Sequence, residues 1–339
     1  MKRSAAFSPL VLLAMVGAIT AISAISSSAH GFCRTMTGRE PGDPSSTNRC
    51  DGWNEQTRKA CCPYGKPLFW KNACVGYSLQ RASSRQISLN DAERVFAKAF
   101  QTWTSVSCGS GSSSRVSLDM RYLGPVECGE VRYNSEGPNQ NVIVFRDSTW
   151  PHRDPTNTLA LTTVRYDADS GEIFGSDMEI NAAQPSPLSA TDNLPPGALD
   201  LLSIATHEAG HFIGFAHSID TEATMYASYR ALTMRDLAPD DTTGICAVYP
   251  PDHTRPTADG TIPADTCDPT PRHGYVSTCE DTTSVEGGGG CAVAPANTWK
   301  NSSPGSSNEP WRWPSPFPVL LTASGLVLLR RLRGQLRPR

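Results

Sequence analysis

The sequence predicts an α+β domain in which an amphipathic helix packs on a sheet and a second helix carries a polar cluster. Three observations point there. Ala92, Val95, Phe96, Ala99, Phe100 and Trp103 recur at helical spacing. Val116, Leu118, Met120 and Tyr122 alternate with polar residues, ahead of the apolar run Val142-Ile143-Val144-Phe145. A further helical pattern begins after Pro195-Pro196-Gly197.

Each element has its own local signal. Ser88-Leu89-Asn90-Asp91 is an S-x-x-D start for the first helix, because a serine side chain can accept the N–H three residues on. Thr162 to Tyr166 and Ile173 to Ile180 flank Asp167-Ala168-Asp169-Ser170-Gly171, whose composition is that of a hairpin turn. Beyond Tyr249-Pro250-Pro251 the chain turns to Pro, Thr, Asp and Gly as far as Cys291. Residues 251–290 are therefore expected to form a linker, with Cys267 and Cys279 closing a small loop.

The formal charge of the 339 residues is -3, but it averages unlike parts. Between Phe32 and Cys291 there are 21 basic and 32 acidic residues, a net of -11, which argues against nucleic acid as a partner. Lys2-Arg3, the apolar stretch from Phe7 to Ile25 and the small residues up to Gly31 read as a signal peptide over residues 1–31, so the body is expected to be exported. Eleven scattered cysteines suit disulfides in an oxidising compartment, extracellular or at the cell surface. Residues 32–63 hold four of them with little apolar periodicity and are expected to be a disulfide-stapled extension.

At the other end, Gly287-Gly288-Gly289-Gly290-Cys291 precedes a polar spacer, Pro310-Trp311-Arg312-Trp313-Pro314, an apolar segment from Phe317 to Leu329 and an arginine cluster. This arrangement over 291–339 resembles the Myxo-type C-terminal sorting tags of bacterial surface proteins. The resemblance implies membrane contact through the segment, envelope sorting machinery as a partner, and Cys291 as the sorting site. Ten cysteines are then left to pair.

The chemistry concentrates in Thr206-His207-Glu208-Ala209-Gly210-His211-Phe212-Ile213-Gly214-Phe215-Ala216-His217-Ser218. Histidines four apart share one helix face, so His207 and His211 can grip one metal ion with Glu208 beside it. Leu201, Ala205, Ala209 and Phe212 lie on roughly the opposite face and anchor the helix. Gly214 lets the chain turn and return His217 as a third ligand. Three neutral imidazoles leave the fourth tetrahedral position of Zn2+ open, as a catalytic ion needs.

H-E-x-x-H-x-x-G-x-x-H resembles the metzincin metalloproteases. Ser218 after the third histidine resembles their matrixin branch, and Ala223-Thr224-Met225-Tyr226 has the place of the metzincin Met-turn. Trp70, the Ala92 to Trp103 helix and the ending from Leu237 to Tyr249 extend the likeness over residues 64–250. The resemblance implies a twisted mixed sheet, an active-site helix, a Met-turn at Met225 and a C-terminal helix. It also implies one catalytic zinc and hydrolysis of peptide bonds in protein or peptide substrates, with Glu208 as general base toward a water on the metal. Gly175 to Asn181 is expected to border the cleft and pair with an extended substrate, and Tyr226 and Tyr229 are candidates for the pocket wall. The alternative is a zinc-stabilised surface binding or adhesion module without turnover, against which the intact Glu208 argues.

Three departures from matrixins stand out. No P-R-C-G-x-P-D latency motif precedes Trp70, and Cys61-Cys62 are expected to be paired. His152-Arg153-Asp154 begins a second zinc site, but Leu161 and Met178 stand where further histidines would be needed. No second zinc is expected, and His152 is read as an exposed loop residue. Calcium at Asp167, Asp169 or Asp177 is compatible with hard carboxylates, although turn chemistry accounts for Asp167 to Gly171.

Overall fold

Residues 31–38, 61, 64–109, 114–152 and 154–278, together with the backbone of 305–312, are described by a computed structural model. In chain order the main elements are β1 (Cys74–Gln80), α1 (Leu89–Thr104), β2 (Asp119–Val126), β3 (Val142–Phe145), β4 (Thr158–Tyr166) and β5 (Ile173–Ile180). They continue with α2 (Leu201–Phe212), α3 (Pro239–Val248), β6 (Thr254–Thr257), β7 (Gly260–Pro263) and β8 (Gly305–Arg312). No helix among the described residues is long and apolar enough to cross a membrane. The expected signal peptide up to His30, Cys50, Cys62, Cys279, Cys291 and the apolar segment 317–329 lie outside the described residues.

The strands form a mixed sheet in the order β8-β4-β5-β3-β1-β2. β1 runs parallel to β2 and β3, β3 parallel to β5, and β4 antiparallel to β5. The β4–β5 hairpin is the one its turn composition predicts. Asp167 Oδ1 accepts from Asp169 N at 3.1 Å and Ser170 N at 2.8 Å, so this carboxylate is used by its own turn. Asp177, another calcium candidate, is buried and accepts Val142 N at 2.8 Å. Burial raises its pKa to about 7, against the pull of Arg165.

α1 begins as its sequence requires, with Ser88 Oγ accepting Asp91 N at 3.1 Å. Its apolar stripe, Ala92, Val95, Phe96, Ala99, Phe100 and Trp103, is buried between the sheet and α2. The Phe100 ring lies 4.5 Å from Tyr77 of β1 and 5.1 Å from Phe212 of α2, so one aromatic side chain joins the two layers.

The ends of the folded body differ most from expectation. Cys33 pairs with Cys61, as the stapled extension requires, but Cys33–Arg34 also forms a strand pair with Phe215–Ala216. The extension thus braces the backbone just before His217. Beyond Tyr249 the chain is not a free linker: β6 and β7 form a hairpin, and Cys267 pairs with Cys74 rather than closing a loop with Cys279. The reason is Arg255, fully buried with its guanidinium spread over backbone acceptors. Its Nε donates to Trp70 O at 2.7 Å, Nη1 to Ser117 Oγ at 2.8 Å and Nη2 to Ser117 O at 2.8 Å. These oxygens would otherwise be buried without donors, and a polar segment folds over the core to supply them.

Replacing Arg255 with methionine keeps the apolar stem and removes five donors. We expect Arg255→Met to lower unfolding stability by about 2–4 kcal/mol, since two buried carbonyls and a hydroxyl lose their donor. Denaturant titration at matched buffer checks this, and an unchanged midpoint would contradict it.

Candidate metal centre

α2 starts at Asp200, which is fully buried and accepts Ser203 N at 3.2 Å as N-cap. Arg235 closes on the same carboxylate at 2.7 Å. Burial pushes the Asp200 pKa up, but the hydrogen bonds from Arg235 and Ser203 outweigh it and hold the carboxyl below its ordinary value. At the far end, where a helix leaves carbonyls without intrahelical partners, two side chains supply donors. Trp70 Nε1 donates to Phe212 O at 2.9 Å, and the Tyr249 hydroxyl donates to Ile213 O at 2.6 Å. Trp103 Nε1 donates to Thr206 O at 2.8 Å, immediately before the first histidine.

Gly214 adopts φ of 100°, a conformation open to glycine, and turns the chain back. His207, His211 and His217 thereby converge, and their nearest nitrogens all lie within 4.8 Å of one another. His207 Nδ1 meets Thr224 O at 2.7 Å and His211 Nδ1 meets Phe215 O at 2.8 Å, which fixes these tautomers with the proton on Nδ1 and the Nε2 lone pair toward the centre. The Nε2 atoms of His211 and His217 are 3.2 Å apart. Two nitrogens on one tetrahedral zinc, at bond lengths of about 2.0–2.1 Å, are separated by about 3.3–3.4 Å, so the donor set fits that ion. Burial and then the neighbouring imidazoles lower His207 well below its ordinary pKa and bring His211 down to about 3. Both are neutral across the physiological range, as metal ligands must be.

Glu208 is buried beside them. Oε2 accepts the Thr162 hydroxyl of β4 at 2.5 Å, while buried Oε1 has no hydrogen-bond partner among the described residues. Burial raises its pKa to about 8, opposed by the Thr162 hydrogen bond. A buried carboxylate with one oxygen fixed and the other unclaimed, beside three convergent lone pairs, can hold and move a proton at a water.

Met225 is buried, with its sulfur against Gly210 of α2. The turn is held from α3: Asp241 accepts Thr224 N at 2.7 Å, Met225 N at 3.1 Å and Ala238 N at 2.9 Å. Neighbouring Asp240 accepts Ser218 Oγ at 2.7 Å and the N–H of Gly31 at 2.7 Å. Sequence reasoning placed both aspartates in the C-terminal helix and Thr162 in a strand, and gave none of them a role at the site. The acidic pair in a helix first turn was visible, but its partners around the methionine turn are 16 or more residues away.

Other site expectations change. Gly175 to Asn181 does not offer a row of main-chain groups to an extended substrate, because β5 is paired on one side with β4 and on the other with β3; beyond it on this side lie β4 and then β8. Tyr229 OH accepts Asp200 N at 2.7 Å, tying it to the start of α2, and Tyr226 is half-buried after the methionine. His152 is half-buried rather than exposed, with Nε2 2.7 Å from Glu179 Oε2, while Arg146 takes the other oxygen at 2.6 Å. Glu179 is buried on β5, so its charge needs both partners. The three histidines are the one cluster of His, Cys, Asp or Glu suited to a metal among the described residues.

The family model described as Matrixin matches residues 69–250. A plant protein from Arabidopsis thaliana named Metalloendoproteinase 1-MMP is 46 % identical over 192 residues, covering 55 % of this chain and 46 % of that protein. The interstitial collagenase of Sus scrofa is 27 % identical over 204 residues, 59 % of this chain and 36 % of the collagenase. The human Matrix metalloproteinase-20 is 28 % identical over 193 residues, 55 % of this chain and 33 % of that protein. The chain spans less than half the length of these relatives.

Two outcomes test this architecture. A Cβ at Gly210 would collide with Met225 Sδ and stand 2.8 Å from Trp103 Cζ2. Gly210→Ala should therefore cost about 1–3 kcal/mol and weaken zinc binding together, read by melting and by competition with a chromogenic chelator. Because Asp200 is held below its unfolded pKa, its contribution is full above about pH 4 and fades as pH falls through the folded value. The stability difference between wild type and Asp200→Asn should be flat from about pH 5 to 7 and shrink below about pH 4; a difference independent of pH down to about 2.5 would contradict it.

Proposed function

The chain belongs to the matrixin family, and from that premise we propose that it is an exported, surface-sorted zinc endopeptidase that hydrolyses peptide bonds of protein substrates. The observation that carries the reading is the convergence of His207, His211 and His217 beside Glu208, whose Oε1 is unclaimed. His207, His211 and His217 would hold a zinc ion, which would supply Lewis acidity for peptide hydrolysis. Glu208 takes a water's proton at Oε1 and passes it to the leaving amine, with Thr162 holding Oε2 so that one oxygen faces the reaction.

β4 is the strand on which an extended substrate pairs, since Thr162 of β4 touches Glu208 and main-chain bonding there brings a peptide past the base. Tyr226 contributes to the pocket beyond the methionine. The disulfides Cys33–Cys61, Cys74–Cys267 and Cys108–Cys246 support an oxidising, extracellular setting. Processing at Cys291 and contact of 317–329 with a membrane belong to the same proposal, which rests there on the sequence resemblance.

With the disulfides formed, the protein should bind one zinc and cleave a broad peptide library. Chelation should abolish cleavage and zinc should restore it. Glu208→Gln should keep the zinc and lose about 10^2- to 10^4-fold in kcat/KM, the range for losing a general base. Zinc-loaded wild type no more active than Glu208→Gln would sink the protease reading.

A further inference from the structure

β4 would be the edge of the sheet if the body ended at Thr278, and its outward N–H and C=O groups would then face solvent. They do not along Leu161–Tyr166, because β8 pairs with β4 antiparallel there and meets it again at Thr158. Gly305 stands opposite Tyr166, Ser307 opposite Val164, Asn308 opposite Thr163, Glu309 opposite Thr162, Pro310 opposite Leu161 and Arg312 opposite Thr158. The register irregularity falls between Pro310 and Arg312, where proline lacks the N–H a ladder needs. The residue facing Glu309 is the one whose hydroxyl holds the base Glu208.

We propose that residues 305–312 are an intramolecular occupant of the substrate edge, so that the uncut chain is latent and a cut upstream of Gly305 opens the cleft. This rests on the reading of β4 as the substrate strand. The argument is one of exclusion: a strand edge has a single row of donors and acceptors, and a backbone bonded to them bars a second peptide from the same row. The segment is joined through residues 279–304 to a body that reaches Thr278. A covalent tether presents its end at an effective concentration of about 1 mM, so a segment with a free Kd of about 0.1 mM holds the edge about nine-tenths of the time. No N-terminal cysteine motif is needed for latency of this kind. Release requires only that the chain be severed between 279 and 304, the interval that contains Cys291.

The test uses the full chain, zinc-loaded and shown intact by mass spectrometry, against the Ser307→Pro/Asn308→Pro chain. Prolines at two successive positions remove a ladder N–H whichever phase carries the bonds, and both lie outside the catalytic machinery. The substituted chain should cleave a quenched fluorogenic peptide with kcat/KM about tenfold higher, the gain expected from freeing a nine-tenths occupied edge. A synthetic peptide of residues 305–312 should inhibit it competitively. Hydrogen exchange supplies a readout independent of catalysis: the amides of Thr158–Tyr166 should be protected in the intact chain and exchange faster in the substituted one. Equal kcat/KM together with equal β4 exchange overturns the proposal. A difference in exchange between two chains that both fail to cleave supports the docked strand and instead overturns the proteolytic reading on which latency depends.

Discussion

Helix α2 is buried on nearly all sides while carrying three of the protein's costliest groups to bury, His207, Glu208 and His211. Much of the remaining structure answers that constraint. Its N–H groups meet Asp200, its last carbonyls meet Trp70 and Tyr249, and its imidazole Nδ1 atoms meet carbonyls of the two chain reversals that follow. The same desolvation that makes these groups expensive keeps the histidines neutral and leaves their lone pairs ready for a cation.

The answering groups come from both ends of the folded body. Asp240 and Asp241 of α3 bind the backbone on either side of the methionine turn as well as the first described residues, Gly31 and Phe32. The extension anchored by Cys33–Cys61 lines up against Phe215–Ala216. Cys74–Cys267 and Arg255 fasten the stretch after Tyr249 across the opposite end of the sheet. The metal centre is therefore positioned by long-range tertiary contacts, and a chain cut down to its central segment would lose several of them.

The sheet supplies a second asymmetry. Its strands β5, β3 and β1 are closed by pairing within residues 74–180, and on the remaining side of the antiparallel β4, beside the Glu208 carboxylate, the added strand is β8. One strand position serves either the chain's own tail or another peptide, so access to the base and release of the tail become a single event under our proposal.

The α1 stripe, the β4–β5 hairpin, the turn at Gly214 and the metal triad with its methionine were legible, because each is written in spacings of a few residues whose geometry the backbone period fixes. The order of the strands was not: β4 and β5 each mix apolar with polar residues and are both buried, and only pairing shows that β5 lies between β4 and β3. Nor were Thr162, Asp241 and Arg255 legible as partners of groups 46, 16 and 138 residues away. Arg255 was read into a polar linker because composition reports what solvates a segment on average, not whether one guanidinium finds buried carbonyls. The sequence by itself determined which atoms could bind a metal and on which helix face they stand. Tertiary structure alone decided what shields them, which oxygen of Glu208 is left unclaimed and which strands of the sheet are interior, since those depend on contacts between segments far apart in the chain, and local periodicity carries no information about them.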